Sequence, residues 1–183
     1  MGHRVSRAYV AVATLTLAAL AACGSASDKA PGAEAGPEDS AEVEERDVGY
    51  DVRRLRPGEE PLEATFDRVF ARASEDGKRV AVLFSADWCK PCQQLDIELG
   101  ATHPASAIGG VRIFELKEEE WEAVTRMDEF NTLRGRWYPK MNSYPVLVML
   151  DREGKVVEEM KEAKVRLEEA GVQPTLPNWF SSV

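Results

Sequence analysis

The chain has 183 residues and a formal net charge of −9, with 32 acidic against 23 basic side chains. This acidic balance argues against nucleic acid as a partner, because phosphate binding needs clustered Lys and Arg. Hydrophobic residues make up 44% of the chain, which is enough for one folded domain with its own core.

Residues 1–22 have the pattern of a secretory signal, with two arginines, an apolar stretch over 8–20 and small residues at the end. The apolar stretch is short for a bilayer span, which needs ~20 residues. Leu20-Ala21-Ala22-Cys23 resembles the bacterial lipobox, in which cleavage leaves the cysteine as a lipid-modified N-terminus. An ordinary secretory signal with an incidental cysteine and a single-span anchor are the alternatives.

Residues 24–47 are rich in Gly, Ala, Ser, Pro and acids and contain almost no large apolar residue. Such a segment cannot bury enough surface to order itself, so it is predicted to be a flexible tether. We therefore predict a signal over 1–22, a lipidated Cys23 with its tether up to 47, and a folded domain over 48–183. The domain is expected outside the cytoplasm, anchored at the membrane on the periplasmic or outer face of the cell envelope.

Extended and helical patterns alternate along the rest of the chain. Strands are predicted over 50–55, 79–85, 111–117, 146–150 and 155–159. Helices are predicted over 60–75, 89–99, 118–133 and 160–170. Irregular segments are predicted over 101–110, 134–144 and 173–183. This alternation predicts an α/β fold with a central mixed sheet that is flanked by helices on both faces.

Cys89 and Cys92 stand where a buried strand passes into a helix. Cysteines at this spacing can close a small reversible disulfide, and the helix N-terminus favours a thiolate, which attacks other disulfides. A closed zinc site needs two further Cys or His ligands, and the only histidines are His3 and His103, so we predict no metal. A purely structural disulfide is the other possibility, although so short a loop adds little stability.

Residues 86–92, with the sequence ADWCKPC, resemble the active site of the thioredoxin family. Tyr144-Pro145 resembles the cis-proline of that family, and residues 146–157 resemble its hairpin. The resemblance covers roughly residues 50–170 and implies a thioredoxin-like fold that uses no cofactor. The ADWC run is also similar to the exported thioredoxin domain of transmembrane disulfide reductases.

The resemblance assigns roles to five residues. Cys89 would attack the substrate and form a mixed disulfide, and Cys92 would resolve that intermediate and close the disulfide. Trp88, Tyr144 and Pro145 would bind the substrate, whose chain pairs with the backbone beside the proline like an added strand. Plain core packing is the alternative for Trp88. Tyr144 is bulkier than the usual residue before the cis-proline and should narrow the substrate groove.

The sequence departs from the family at Leu83, where thioredoxins usually carry a buried aspartate that assists proton transfer. Another group or water then accepts the proton, or exchange is slower at neutral pH. Asp87 and Asp96 are nearby acids that we expect to be solvated. Trp137 and Tyr138 could form a lip that faces the substrate or could cap the edge of the core.

Lys90 and Pro91 are expected to tune the pKa of the thiols and the reduction potential of the pair. Pro91 is the thioredoxin-like residue before the second cysteine and favours a reductant, whereas the cation of Lys90 favours a thiolate and a more oxidising pair. We therefore expect a reductase of disulfide-containing exported proteins that receives electrons from a transmembrane donor. A disulfide oxidase or isomerase is the first alternative, and a peptide-binding module with this fold is the second.

Overall fold

A computed structural model of the protein describes residues 45–140 and 143–183. The predicted signal, Cys23 and nearly all of the predicted tether lie outside the described residues. Within those two stretches, no helix combines the length and the apolar character that a membrane crossing would require.

Strands and helices follow one another in the order that the sequence predicts, with four added elements and one predicted helix divided into two. The strands are β1 (Asp47–Gly49), β2 (Asp51–Arg54), β3 (Arg79–Ser85), β4 (Thr102–Pro104), β5 (Val111–Lys117), β6 (Val146–Leu150) and β7 (Val156–Glu159). The helices are α1 (Leu62–Glu75), α2 (Lys90–Leu99), α3 (Ala105–Ile108), α4 (Glu118–Glu122), α5 (Met127–Gly135), α6 (Met160–Glu169) and α7 (Leu176–Ser182).

The main sheet of the described chain has five strands in the order β2-β5-β3-β6-β7. The central strand β3 runs parallel to β5 and antiparallel to β6. At the edges, β2 is parallel to β5 and β7 is antiparallel to β6. The predicted mixed sheet is confirmed. Because β3 and β5 are parallel, their C-terminal ends lie at the same edge of the sheet.

The continuous apolar run of β3 is explained by helices on both faces of the sheet. Val80, Val82 and Phe84 lie in a core layer with residues of α1, α4 and α5. On the opposite face, Ala81 and Leu83 lie in a layer with residues of α2, α3, α6 and α7. Each large apolar side chain that is fully buried in these layers stabilises the fold by ~1.5–3 kcal/mol.

The segment 101–110 is not the loop that we predicted, because it contains β4 and the short helix α3. β4 pairs antiparallel with β1, with Val48 opposite His103. The Ser106 N–H donates to Glu45 Oε1 at 2.6 Å, so contacts begin before the predicted domain start at 48. A strand of three residues is too short to show a recognisable pattern in the sequence. This strand also depends on a partner strand that is far away in sequence.

The predicted helix over 118–133 is wrong in its continuity, because it breaks between α4 and α5. Thr125 has a φ of 58°, its N–H bonds to Glu122 O, and the next N–H, of Arg126, bonds to Trp121 O. This is a left-handed helix end of the Schellman type, which usually carries Gly or Asn. A threonine at that place gives no stop signal in the sequence.

The tail over 173–183 is also not irregular, since it contains α7. The Thr175 side chain accepts the Asn178 N–H at 3.4 Å, and Pro177 lies in the first turn. Trp179 and Phe180 are buried against the α2 face of the sheet. The N-cap threonine and the first-turn proline are helix-start signals that the sequence did contain.

Candidate active site

The end of β3 delivers the cysteine pair to the start of α2. Cys89 is the N-cap residue with an extended backbone, and its Sγ accepts the backbone N–H of Cys92 at 3.2 Å. Pro91 lies in the first helical turn, where no intrahelical N–H bond is lost. The positive end of the helix dipole and the backbone N–H of Cys92 therefore both face the Cys89 sulfur, which favours its thiolate.

Cys89 and Cys92 form a disulfide with their Cα atoms 5.2 Å apart. Cys89 is 4% exposed and Cys92 is 1% exposed. Both side chains are therefore buried, and Cys89 is the slightly more exposed of the two. Lys90 and Pro91 between them are exposed.

The loop before β6 faces the disulfide. The Tyr144–Pro145 peptide bond is cis, as the resemblance implies, and Pro145 is buried. Tyr144 packs against the small cluster formed by Ala86, Cys89 and Cys92. The structure therefore brings the cysteine pair and the predicted substrate-binding loop together on one side of the sheet.

The model of the thioredoxin-like domain family matches residues 66–165, which is more than half of the chain. The chain belongs to the thioredoxin-like family. The matched range contains the cysteine pair, the cis-proline and the hairpin, so the predicted family and fold are confirmed together.

Individual proteins of known sequence or structure are similar to this thioredoxin-like chain. Probable nucleoredoxin 1 of Arabidopsis thaliana is 30% identical over 121 residues, which are 58% of this chain and 21% of that protein. A disulphide isomerase from Xylella fastidiosa has a TM-score of 0.48 at 17% identity, over 71% of this chain and 96% of that one. Poplar thioredoxin h has a TM-score of 0.40 at 22% identity, over 66% of this chain and 92% of that one. The chain thus spans about a fifth of the curated relative that it matches.

Trp88 lies on the surface beside the pair and not in the core. Its side chain is 67% exposed, which excludes the core-packing alternative. Its indole Nε1 donates to Glu118 Oε2 at 3.0 Å, and its ring meets the Tyr144 ring edge-on with 5.7 Å between centroids. The neighbouring Asp87 N–H donates to Glu119 Oε1 at 2.7 Å. The active-site loop is therefore held from outside by two glutamates at the start of α4.

Leu83 is fully buried, so no carboxyl stands at the position where thioredoxins usually carry one. The polar group under this part of the site is instead Lys117, at the end of β5. Its Nζ lies 2.7 Å from Asp87 Oδ1 and 3.1 Å from Asp96 Oδ2. Burial disfavours the ammonium, but these hydrogen bonds outweigh it, so the pKa of Lys117 is raised above its ordinary value.

Asp87 and Asp96 keep 64% and 39% of their side chains exposed, so both are partly solvated, as predicted, although both are also ion-paired. Sequence reasoning missed Lys117 as their partner. Its only signal in the sequence was a lysine at the end of a predicted buried strand, directly after Leu116.

Arg134 is a second buried cation that the sequence analysis missed. It donates to the carbonyl oxygens of Ser143 at 2.7 Å and Lys140 at 3.1 Å. Its guanidinium lies 4.6 Å from the centroid of the Tyr144 ring. Burial raises the pKa of Tyr144 to about 12, against the opposing charge of Arg134 and with the help of Glu118. Arg134 thus fixes the loop that carries the cis-proline.

Trp137 caps the edge of the core and does not form a lip over the substrate. Its ring lies 5.0 Å from that of Phe66, and its Nε1 donates to Gly154 O at 2.8 Å. Tyr138 packs against the same core layer and faces Arg134. Of the two alternatives for this aromatic pair, the structure supports capping of the core.

Proposed function

We propose that the protein is a thiol-disulfide reductase of exported proteins that is anchored through lipid on Cys23. The observation that carries the redox part is the Cys89–Cys92 pair at the N-terminus of α2, opposite cis-Pro145. The placement outside the cytoplasm rests on the signal pattern and the Leu-Ala-Ala-Cys run of the sequence.

The chemistry is two thiol-disulfide exchanges. The Cys89 thiolate attacks one sulfur of the substrate disulfide, forming a mixed disulfide and releasing a thiolate that takes up a proton. The Cys92 thiolate then attacks the Cys89 sulfur, which closes the protein disulfide and releases the second substrate thiol. Two electrons and two protons pass from the cysteine pair to the substrate.

The surroundings of the pair support electron transfer from the two cysteines to the substrate. Pro91 precedes the second cysteine and no histidine stands between the two, which supports a reducing pair. Lys90 is exposed, so solvent and salt screen its effect on the thiolate. A reductase outside the cytoplasm has to be reduced again, and we infer a membrane protein that supplies two electrons through its own thiols.

The equilibrium reduction potential of the full chain tests the proposal. In a dithiothreitol or glutathione series, we expect a potential near the thioredoxin value of about −270 mV. A value toward about −120 mV would instead make the protein an oxidase or isomerase. Cys89→Ser is the matched control, because it should abolish the transition.

Trapping names the substrates. A Cys92→Ser variant keeps the attacking thiol but cannot resolve the intermediate, so it should accumulate mixed disulfides through Cys89 that mass spectrometry identifies. Cys89→Ser should trap far fewer adducts, because it lacks the thiol that attacks the substrate in the proposed mechanism. If Cys89→Ser kept the cellular role, the protein would act as a peptide-binding module.

Fractionation tests the anchor. We expect the wild-type chain in the membrane fraction and Cys23→Ala, which removes the only cysteine before the pair, in the soluble exported fraction. Equal amounts of both chains in the membrane fraction would contradict lipid anchoring at Cys23.

A further inference from the structure

Glu118 occupies the junction of β5 and α4, beside the cysteine pair. Its Oε2 accepts the indole N–H of Trp88 at 3.0 Å. Burial raises the pKa of the Tyr144 hydroxyl to about 12, and the nearby charge of Glu118 adds to this effect. Glu118 therefore holds the aromatic ring of the active-site loop and lies close to that of the cis-proline loop, although the two loops are more than fifty residues apart in sequence.

The rings of Trp88 and Tyr144 also touch each other. They meet edge-to-face with 5.7 Å between centroids and an interplanar angle of 88°. On its other side Tyr144 lies against the guanidinium of Arg134, which is buried and bonded to the backbone of the same loop. Trp88 and Tyr144 thus form one fixed aromatic surface at the rim of Cys89.

The Trp88 part of this aromatic surface is open to solvent, with 67% of the side chain exposed. Exposed tryptophans are favoured anchors in protein recognition, and a group already held in its bound geometry loses less freedom on binding. A polypeptide substrate extends on both sides of its cysteine and can pack on this surface, whereas a small disulfide has fewer atoms beyond its sulfurs to do so.

We propose that Glu118 is a positioning residue that gives the enzyme its preference for polypeptide disulfides over small-molecule disulfides. It holds the Trp88 ring against Tyr144, which keeps the aromatic surface in place for an apolar or aromatic side chain next to the substrate cysteine. This inference rests on the proposed reductase function, since it concerns the substrate class of the same site.

The test compares two substrates on the reduced full chain, insulin as the polypeptide disulfide and glutathione disulfide as the small one. For Glu118→Ala we expect KM for insulin to rise about five- to tenfold, as for a moderate hot spot, with kcat much less affected. The ratio of kcat/KM for insulin to that for glutathione disulfide should fall by a similar factor. Glu118→Gln keeps an acceptor oxygen and should lie between Ala and wild type.

Two controls separate positioning from charge and from folding. Glu122→Ala removes the same charge from an exposed position on the same helix and should leave the ratio at the wild-type value. In a Trp88→Phe background, which already lacks the indole N–H, Glu118→Ala should have a much smaller effect. Urea unfolding of each variant shows whether it is folded, and if Glu118→Ala is not, Glu118→Gln and Trp88→Phe carry the comparison.

Acrylamide quenching gives a readout besides activity. Trp121 and Trp179 are buried and Trp137 is half-buried, so quenching of the exposed fluorescence reports mainly on Trp88. We expect stronger quenching in Glu118→Ala than in Glu122→Ala, because the indole is no longer held.

Three outcomes would overturn the inference. A ratio that stays at the wild-type value in Glu118→Ala, or equal losses with both substrates, would show that Glu118 does not select substrates while leaving the reductase function intact. If the wild-type chain reduced neither substrate faster than Cys89→Ser, the proposed function itself would fail and the inference with it.

Discussion

At the scale of single residues, Lys117 shows how one buried cation organises the region behind the cysteine pair. Its side chain is 11% exposed, and it joins the end of β5 to Asp87 in the active-site loop and Asp96 in α2. Asp96 follows Cys92 by four residues, so it lies one helical turn further along α2. The loop and the helix that carry the cysteines are therefore tied to the same strand.

We predict that Lys117→Met lowers the free energy of unfolding by about 1 kcal/mol. Both carboxylates lose their counter-ion, and the effect lies between that of an exposed ion pair and that of a fully buried one, because the aspartates stay partly hydrated. Urea unfolding measures the change. Lys164→Met, at an exposed position of α6, is the matched control and should change the stability by less than about 0.5 kcal/mol.

The sequence could predict the residues that carry a motif but not the residues that support them. Cys89, Cys92 and Pro145 were named from spacing and resemblance, and the structure brings them together. Glu118 and Arg134 had no such signal, because their roles depend on which side chains the fold places beside them. Glu118 lies in an acidic run that any solvated helix start could have, and only the structure shows it facing Trp88.

At the scale of elements, the last helix is joined to the sheet through Glu158. This carboxylate on β7 accepts two hydrogen bonds from Arg166 of α6, at 2.7 and 2.8 Å, and one from the indole of Trp179 in α7 at 2.9 Å. Arg166 also donates to Ser182 at the end of α7. The tail that looked irregular in sequence is thus held by a polar link as well as by its buried aromatic residues.

This link predicts an acid-sensitive part of the stability. The hydrogen bonds from Arg166, and then that from Trp179, lower the pKa of Glu158 below its ordinary value of 4.5, against the effect of burial. A carboxyl with a lowered pKa stabilises the fold above its ordinary pKa, and that contribution is lost as the pH falls through the folded-state pKa. Urea unfolding from pH 6 down to pH 3 should therefore show a shallower loss in Glu158→Gln than in wild type.

The matched control for this titration is Glu168→Gln. Glu168 is exposed, and its side chain makes no hydrogen bond or ion pair within the described residues. This variant should follow the wild-type pH dependence. If Glu158→Gln also followed it, the polar link would contribute nothing to the acid dependence of stability.

The prediction of strands and helices succeeded where burial imposes a pattern of apolar residues on the sequence. It failed where strand pairing or an unusual backbone conformation determines the structure. β3, β5 and β6 have the predicted bounds because their side chains are buried in runs that begin and end sharply. The break at Thr125 depends on one left-handed residue, which sequence periodicity does not register. β4 exists only through its pairing with β1, so neither half is recognisable alone.

At the scale of the whole molecule, the proposed reducing character is linked to stability. The potential of the folded pair differs from that of the unfolded pair by the difference in unfolding free energy between the oxidised and reduced forms. For this two-electron couple, each 30 mV corresponds to about 1.4 kcal/mol. A reducing protein is therefore more stable when it is oxidised.

We predict that the oxidised chain unfolds at a higher urea concentration than the chain in excess dithiothreitol, by at least about 1 kcal/mol in unfolding free energy. Cys89→Ala should unfold at the same concentration with and without the reductant, because it cannot close the disulfide. A reduced form that is the more stable one would place the protein among the oxidants and would agree with a high potential.

The hydrogen bonds between Arg79 and the C-terminal helix α7 have a practical consequence for handling the protein. Arg79 is the first residue of β3, and its guanidinium binds the carbonyl oxygens of Phe180 and Val183. Asp51, the first residue of β2, pairs with Arg112 near the same starting edge of the sheet. The seven residues of β3 separate that edge from the cysteine pair by about 20 Å. An electrode, resin or fusion partner attached near Asp47 or Val183 would thus lie at the edge of the sheet opposite the cysteine pair, and the disulfide would face the solution.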